Sequence, residues 1–428
     1  MTVAFHPRLA GNPRPCLRAC VTVGFILLAS RGLAQESIRP SSTGAQSAAA
    51  RRPTDTSLNY NIKAGPVTFD ASASLDLEYN DNIGLAEENR ESDLIFRPTV
   101  RVDSRWRVSQ LNTLRFAFSA GFAKYADHSD LDTRSLLLDP GSEVSFDIYI
   151  GGNLRVNVHD RFSIVQNPVD EATLSNTARF DRFQNAAGFT AFWDLNDLDV
   201  IVGYDHYNYR ALGNNFDFLD RSEEQIFASS SVALSDAVRV GIDTSVAFID
   251  YRFGFNNDGV TWTAGPFLDM TLSPYTKLRA SAGYQAMQFD SGGESGDTSD
   301  NNGWYANVAI AQRMNQYWSH SISAGRESRL GLTVNYAEYV YARYVADWRL
   351  NTRMNVGAEA FLENINESGG AEQFSEEAFR WGLGASLTWK LGRQVTMSAR
   401  YRYVNKDSDL ALRSYYQNVG LLTLNYDF

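Results

Sequence analysis

The sequence predicts an all-β protein, a transmembrane antiparallel up-and-down β-barrel of about 18 strands. Three observations predict this fold: apolar and polar side chains alternate in segment after segment, no apolar run is long enough for a membrane helix, and the last alternating segment ends on an aromatic residue. Alternation with a period of two places the apolar side chains on one face of a strand. A chain with a mean hydropathy of −0.31 can span a membrane only if half of its residues face water inside a closed barrel.

Residues 1–34 have the composition of a signal peptide. Three arginines precede the apolar run 21–29, and a small-residue cleavage site follows at 32–34. A transmembrane anchor needs roughly 18 or more apolar residues, and this run is shorter. We therefore expect the mature chain to begin at Gln35.

Both cysteines, Cys16 and Cys20, lie within this segment. The mature chain then has no thiol that could form a disulfide, bind a metal or attack a substrate. Without residues 1–34 the chain keeps 35 basic residues against 50 acidic ones, a net charge of −15. A surface of this charge is not expected to bind nucleic acid.

The mature chain is predicted to have two parts. Residues 35–66 are rich in Ser, Ala, Arg and Pro and have little to bury, which predicts a disordered periplasmic leader. A segment that docks a partner is the alternative interpretation. Residues 67–428 show no break in composition and are predicted to form one outer-membrane β-barrel.

The segment 94–106 shows which side chains are predicted to face lipid. Its even positions include Phe96, Val100 and Trp106, and all three of its arginines stand at odd positions. About 18 such segments can be counted, an even number, so both termini and the short turns should be periplasmic. Longer, extracellular loops are predicted near 81–92, 127–134, 167–178, 212–221, 253–258, 291–302, 366–375 and 406–412. Aromatic residues near strand ends predict an interfacial girdle of Trp106, Tyr125, Trp193, Trp304, Trp318, Trp348 and Trp389.

The final segment is predicted to carry the barrel-assembly signal. Leu422, Leu424, Tyr426 and Phe428 alternate with polar residues. This ending resembles the carboxy-terminal signal by which bacterial outer-membrane barrels are recognised. It predicts location in the bacterial outer membrane, with outer-membrane lipid, lipopolysaccharide and the barrel-assembly machinery as partners.

A barrel of 18 strands has a lumen wide enough for water, so transport is the expected class of function. Arginines at inward positions could select anions or bind the carboxylates of sugars. Alternatively, they pair with luminal acids and keep the interior polar. The predicted pore-lining residues are Arg97, Arg101, Arg105, Arg115, Arg155, Arg239, Arg279, Arg343, Arg353, Arg400 and Arg402.

The sequence does not predict an enzyme, a cofactor or a metal site. The histidines outside the signal peptide, His128, His159, His206 and His320, lie on separate segments. No nucleophile, metal-ligand or phosphate-loop motif is found beside them. The acidic run 290–300 lacks the ligand order of a Ca²⁺ loop and is predicted to be a solvated external loop.

Several short motifs carry a family resemblance. The runs YNDNI at 79–83, ESD at 91–93 with Pro98, GYDHYNY at 203–209 and FLDR at 218–221 resemble the outer-membrane family Putative beta-barrel porin 2. The strand layout agrees with that family from about residue 67 to the end. The resemblance implies export of an exopolysaccharide across the outer membrane, with a polysaccharide substrate and a periplasmic polysaccharide-export protein as partner. It supplies no catalytic residues.

These features leave three candidate functions. The first is an exopolysaccharide export channel, the second a general or anion-preferring diffusion porin, and the third a structural or adhesive surface barrel. A porin is expected to fold a long loop into its lumen, whereas the predicted loops here do not exceed about fifteen residues. Loop length thus favours an open or partner-gated pore.

Overall fold

The computed structural model describes residues 60–213, 215–369 and 375–428. The predicted signal peptide and residues 35–59 of the leader lie outside this part of the chain. The strands are β1 (Ile62–Ala64), β2 (Val67–Asn80), β3 (Asp93–Arg107), β4 (Thr113–Gly121), β5 (Lys124–Tyr125), β6 (Leu137–Ile150), β7 (Leu154–Val165), β8 (Arg182–Leu195), β9 (Leu198–Ala211), β10 (Arg221–Ser235), β11 (Val238–Tyr251), β12 (Gly259–Ser273), β13 (Thr276–Phe289), β14 (Asn301–Arg313), β15 (Trp318–Leu330), β16 (Tyr336–Arg349), β17 (Met354–Glu367), β18 (Glu377–Lys390), β19 (Val395–Ser408) and β20 (Tyr415–Asp427). Three single-turn 3₁₀ helices, Ser129–Leu131, Pro168–Asp170 and Asp217–Leu219, lie in the loops.

Eighteen strands form the wall of a closed barrel. Each pairs antiparallel with its neighbours in the chain, and β20 returns to pair with β2, with Asp427 opposite Ser72. The short β5 continues the line of β4 along β3, and β1 pairs only with β2. The predicted fold and strand number are confirmed. In the described ranges no helix is long and apolar enough to cross a membrane.

The predicted facing of the side chains is also confirmed. On β3 Phe96 and Val100 are exposed on the outer face, whereas Asp103 is buried on the inner face. On β11 Ile242 is 60% exposed while its neighbour Asp243 is 3% exposed. This contrast is expected where apolar side chains face lipid and polar ones face neighbours inside the barrel.

One predicted strand, 112–126, is interrupted. It divides into β4 and β5 opposite Pro98 of β3, although the register of the two parts is the same. Proline has no N–H to donate to a neighbouring strand, so the ladder breaks at this point. At the break the backbones approach so closely that a Cβ at position 121 would lie only 2.5 Å from the carbonyl oxygen of Pro98. Gly121, which has no Cβ, avoids this clash.

The short turns and the longer loops lie at opposite ends of the barrel. The turn between β8 and β9 consists of only Asn196 and Asp197, and Asn196 has a φ of 71°. Asparagine tolerates this left-handed conformation, which tight hairpins require. Both ends of the described chain, Tyr60 and Phe428, lie at the short-turn end, which in bacterial barrels faces the periplasm.

Six tryptophans of the predicted girdle lie on the outer face. Trp106, Trp193, Trp304, Trp318, Trp348 and Trp389 are all exposed there. Tyr125 was expected among them, and this expectation is wrong. Its side chain is buried inside the barrel against Ile83, Ile95 and Ala123, because β5 presents that position inward.

The barrel end of the leader is ordered, unlike the prediction for residues 35–66. Gly65, with a φ of 59°, turns β1 back onto the start of β2. The side-chain amide of Asn61 donates to the carbonyl oxygen of Ala71 (2.6 Å) and accepts from its N–H (3.0 Å). The N–H of Phe428 donates to the same oxygen (3.1 Å). The two ends of the described chain therefore meet at the seam where β20 closes onto β2.

Candidate functional site

The loop that follows β7, residues 166–181, is folded into the lumen; we call it the lumen loop. It begins with a 3₁₀ turn, Pro168–Asp170, in which the side-chain oxygen of Asn167 accepts from the N–H of Val169. Val169 and Phe180 are almost fully buried, at 1% and 0% exposed. A loop surrounded by water could not bury these side chains, so they must pack on other parts of the barrel.

The apolar side chains of the lumen loop reach the opposite wall. Val169 packs with Val404 of β19 and Tyr415 of β20. Ala172 packs in a cluster with Ala337, Tyr339, Ile365 and Ala378 of β16 to β18. These strands lie about half-way round the wall from β7 and β8, where the loop begins and ends. The loop therefore crosses the lumen.

This crossing corrects the expectation that the loop lengths favour an open pore. Sixteen residues separate Val165 from Arg182. An extended chain of this length can span roughly 50 Å, so length did not exclude the crossing. The informative signal was the apolar content of the loop, at Val169, Ala172 and Leu174, which is unusual for an external loop.

Polar contacts hold the far side of the lumen loop. Arg380 donates to the carbonyl oxygen of Val169 (2.8 Å). Ser175 donates to the carbonyl oxygen of Arg413 (2.7 Å) and accepts from the ammonium group of Lys406 (3.2 Å). Lys406 and its ion-pair partner Glu376, 2.9 Å apart, are both fully buried. Because breaking a buried ion pair is costly, Glu376 holds the ammonium group of Lys406 in the position from which it donates to Ser175.

The near side of the lumen loop is held at the start of β8. The guanidinium of Arg182 donates to the carbonyl oxygens of Phe180 (3.2 Å) and Asn167 (3.3 Å), which joins the two ends of the loop. Leu174 and Phe180 belong to a buried cluster with Tyr209 of β9, Leu219 of the β9–β10 loop and Leu332 of the β15–β16 loop. The loop is thus anchored at both sides of the lumen.

Ten of the eleven predicted pore-lining arginines lie on strands and face the lumen. Five of them form ion pairs with luminal acids: Arg97 with Glu78, Arg115 with Asp103 and Glu143, Arg239 with Asp199, Arg279 with Asp243 and Asp269, and Arg343 with Glu359. Arg101, Arg105, Arg155 and Arg400 also contact other residues, and Arg402 is described below. Much of the basic charge is therefore neutralised locally, which was the alternative interpretation of these residues.

Arg353 does not line the pore. It lies exposed in the short turn before Met354, where β17 begins. The predicted strand began two residues too early, because the alternating pattern continues into the turn. Its backbone carbonyl accepts a hydrogen bond from Lys390 and forms part of the turn instead.

Arg402 and Asp170 are a cation and an acid that face each other beside the lumen loop. Arg402 lies two residues from Val404 on the inner face of β19, and Asp170 directly follows Val169. Since Val169 packs on Val404, the two charged residues are neighbours across the gap between loop and wall. Asp170 is exposed and Arg402 is half-buried. Asp170 was not predicted, because only the path of the loop gives it a role.

The four histidines lie at separate places, as expected. His159 is buried on the inner face, with Nε2 2.7 Å from Asp205 and Nδ1 2.9 Å from Asn157. His206 and His320 lie on the outer face, beside Glu224 and Gln312. No group of three or more histidine, cysteine or acidic side chains suited to a metal occurs in the described ranges.

His128 lies in an extracellular loop against the first residue of β3. Its Nδ1 is 2.8 Å from Oδ2 of Asp93, whose side chain is fully buried. This hydrogen bond, together with the nearby negative charges, raises the pKa of His128 above its usual value. Asp93 also accepts from the backbone N–H groups of Ala126 and His128, so it organises the loop.

The acidic run 290–300 takes part in a network of hydrogen bonds between loops. Asp297 is almost fully buried and accepts from the N–H of Asn335 (2.8 Å) and that of Ser299 (2.8 Å). Its backbone carbonyl accepts from the side chain of Asn257 (2.7 Å). The run is therefore partly buried and joins several extracellular loops, rather than being fully solvated as expected.

Comparison with known proteins agrees with this architecture. The family Putative beta-barrel porin 2 matches residues 60–295, more than half of the chain. The chain is similar in fold to Pseudomonas aeruginosa OccK2 (OpdF) in complex with glucuronate, with 9% identity, coverage of 85% of this chain and 98% of that one, and a TM-score of 0.50. A BenF-like porin from Pseudomonas fluorescens Pf-5 gives 8% identity, 84% and 99% coverage, and the same TM-score.

No curated protein matches the chain. The matching family and the fold are those of a channel in the bacterial outer membrane. At these identities the similar structures establish the fold alone.

Proposed function

Since the chain belongs to the Putative beta-barrel porin 2 family, we propose that this outer-membrane channel is a diffusion porin for small water-soluble solutes. The observation that carries the proposal is the lumen loop, which crosses the barrel and is anchored at both walls. A fixed loop inside a wide barrel limits the size of the solutes that can pass. It also brings charged side chains close to each solute.

The lumen loop makes export of an exopolysaccharide a weaker hypothesis. A growing polymer needs a wide continuous path, and the loop would have to leave its position for every exported chain. Leaving would break the packing of Val169 and the hydrogen bond from Lys406 to Ser175. A small solute requires no such movement.

Solute size provides the direct test. Proteoliposomes containing the full-length channel should swell in monosaccharides and disaccharides, and the rate should fall steeply for longer oligosaccharides. A variant in which residues 168–178 are replaced by a short Gly/Ser linker should pass the longer oligosaccharides as well. Glucuronate, which is bound in the OccK2 structure, is a suitable charged probe. Heat-modifiable gel migration shows whether the variant is folded.

A deletion strain tests the same proposal in the cell. We expect the strain to keep its surface exopolysaccharide and to take up small nutrients more slowly. Loss of the exopolysaccharide with unchanged nutrient uptake would reject the porin and restore the export hypothesis.

A further inference from the structure

The charged groups beside the lumen loop differ in whether they have partners. Arg380 pairs with Glu363 (3.3 Å), and Arg182 lies 3.9 Å from Glu171. Arg402 forms no hydrogen bond or ion pair with any residue that the structure describes, and the same holds for Asp170. Neither charge is therefore neutralised by a direct contact with a described residue.

The packing of the lumen loop brings Arg402 and Asp170 near each other. Val169 and Val404 belong to one buried cluster, Asp170 directly follows Val169, and Arg402 lies two residues from Val404 on the same face of β19. No hydrogen bond or ion pair joins the two groups, so water or a solute can lie between them.

An unpaired cation and an unpaired acid are costly unless water or a ligand contacts them. Asp170 is exposed, so the space between the two groups is open to the lumen. A guanidinium that is free of protein partners can present its parallel N–H groups to a carboxylate. The free carboxylate opposite can accept hydrogen bonds from hydroxyl groups but repels anions.

We propose that Arg402 and Asp170 form the selectivity site of the channel and that it takes small hydroxylated carboxylates. Arg402 binds the carboxylate of the solute, and Asp170 accepts hydrogen bonds from its hydroxyl groups. The repulsion from Asp170 keeps the binding weak, so the solute is released and conduction continues. This inference rests on the proposed function, since it names the solute class of that channel.

Gluconate and sorbitol are matched probes, because they share a six-carbon hydroxylated chain and differ in the carboxylate. The purified full-length channel is measured in planar bilayers in potassium chloride. Gluconate should interrupt the chloride current of the unmodified channel in a concentration-dependent way, and sorbitol should not. Arg402→Gln should weaken the block by gluconate roughly tenfold and shift the reversal potential toward cations.

Three further variants separate charge from recognition. Arg402→Lys should keep the ion selectivity but weaken the gluconate block, because an ammonium lacks the planar fork. Asp170→Asn should strengthen the block, since the repelling charge is removed. Arg155→Gln is the matched control, because it removes the same charge from the inner face near the periplasmic end of β7.

The inference fails if Arg402→Gln changes the gluconate block no more than Arg155→Gln does. It also fails if gluconate and sorbitol act alike on the unmodified channel. Failure of the proposed function looks different: reconstituted channels would then pass neither ions nor sorbitol. Folding of each variant is checked by heat-modifiable migration.

Discussion

Luminal charges occur mainly as local pairs. Arg221 lies 2.7 Å from Glu223, and Arg329 lies 2.6 Å from Glu327, two residues apart on the same strand face. This spacing is visible in the sequence, because residues i and i+2 share a face. Pairs between strands, such as Arg115 with Asp103, require the strand register, which sequence alone does not give. The isolated charges Arg402 and Asp170 could therefore be recognised only in the folded chain.

His128 predicts a pH dependence of the loop 126–136. The pKa of His128 is raised in the folded state by its hydrogen bond to Asp93. The stabilisation is therefore fully present below the unfolded pKa of about 6.5 and is lost as the pH rises through the folded pKa. Trypsin should cleave after Arg134, which is exposed in this loop, several-fold more slowly at pH 6 than at pH 8.

The variant His128→Gln controls for the pH dependence of trypsin itself. Its cleavage rate at each pH gives the reference for the unmodified channel. Equal rate ratios for the two proteins would mean that protonation of His128 does not order the loop.

At the scale of elements, the strands and turns were accessible from sequence, but their contacts with the leader were not. The strand β1 has only three residues, and its sequence, IKA, shows no alternation that could be recognised. Its position depends on Asn61, whose side chain accepts from the N–H of Ala71 beside the end of β20 and shares the carbonyl oxygen of Ala71 with the N–H of Phe428. A side chain that forms the hydrogen bonds of a neighbouring strand in this way cannot be recognised in the sequence.

Asn61→Ala tests the role of this contact. The variant loses two hydrogen bonds at the seam, and we expect a loss of about 1 kcal/mol in barrel stability. Samples are heated in steps and run on a gel that separates the folded from the unfolded form. The variant should convert to the unfolded form at a lower temperature than the parent. Asn351→Ala is a matched control in a turn away from the seam, where the side chain caps only its own turn. An equal shift for both variants would assign the effect to turns in general.

At the scale of the whole molecule, the barrel was predictable because alternation is a local pattern that repeats along the chain. The number of strands and the facing of β3, β11 and β20 followed directly from it. The path of the lumen loop was not predictable, because it depends on contacts between residues that are far apart in the sequence. For the same reason the narrow part of the channel was missed.

The placement of the barrel in the membrane predicts a contrast on β15. Ile322 lies on the outer face half-way between Trp318 and Arg326, near the middle of the bilayer. Ile322→Arg should cost roughly 2–4 kcal/mol of folding free energy in lipid vesicles. Ser321→Arg places the same charge on the inner face and should cost much less. Similar costs for the two variants would refute the assigned faces.

The contacts of the lumen loop also set an order of events during assembly. Its anchoring hydrogen bonds to Arg380, Lys406, Leu412 and Arg413 join residues separated by 211 to 238 positions. Long-range contacts of this kind form late, because the intervening chain must first be in place. The loop has nothing to dock on until the last strands have been added. An incomplete barrel therefore has a lumen that the loop does not obstruct. The channel acquires its size limit only when the wall is complete.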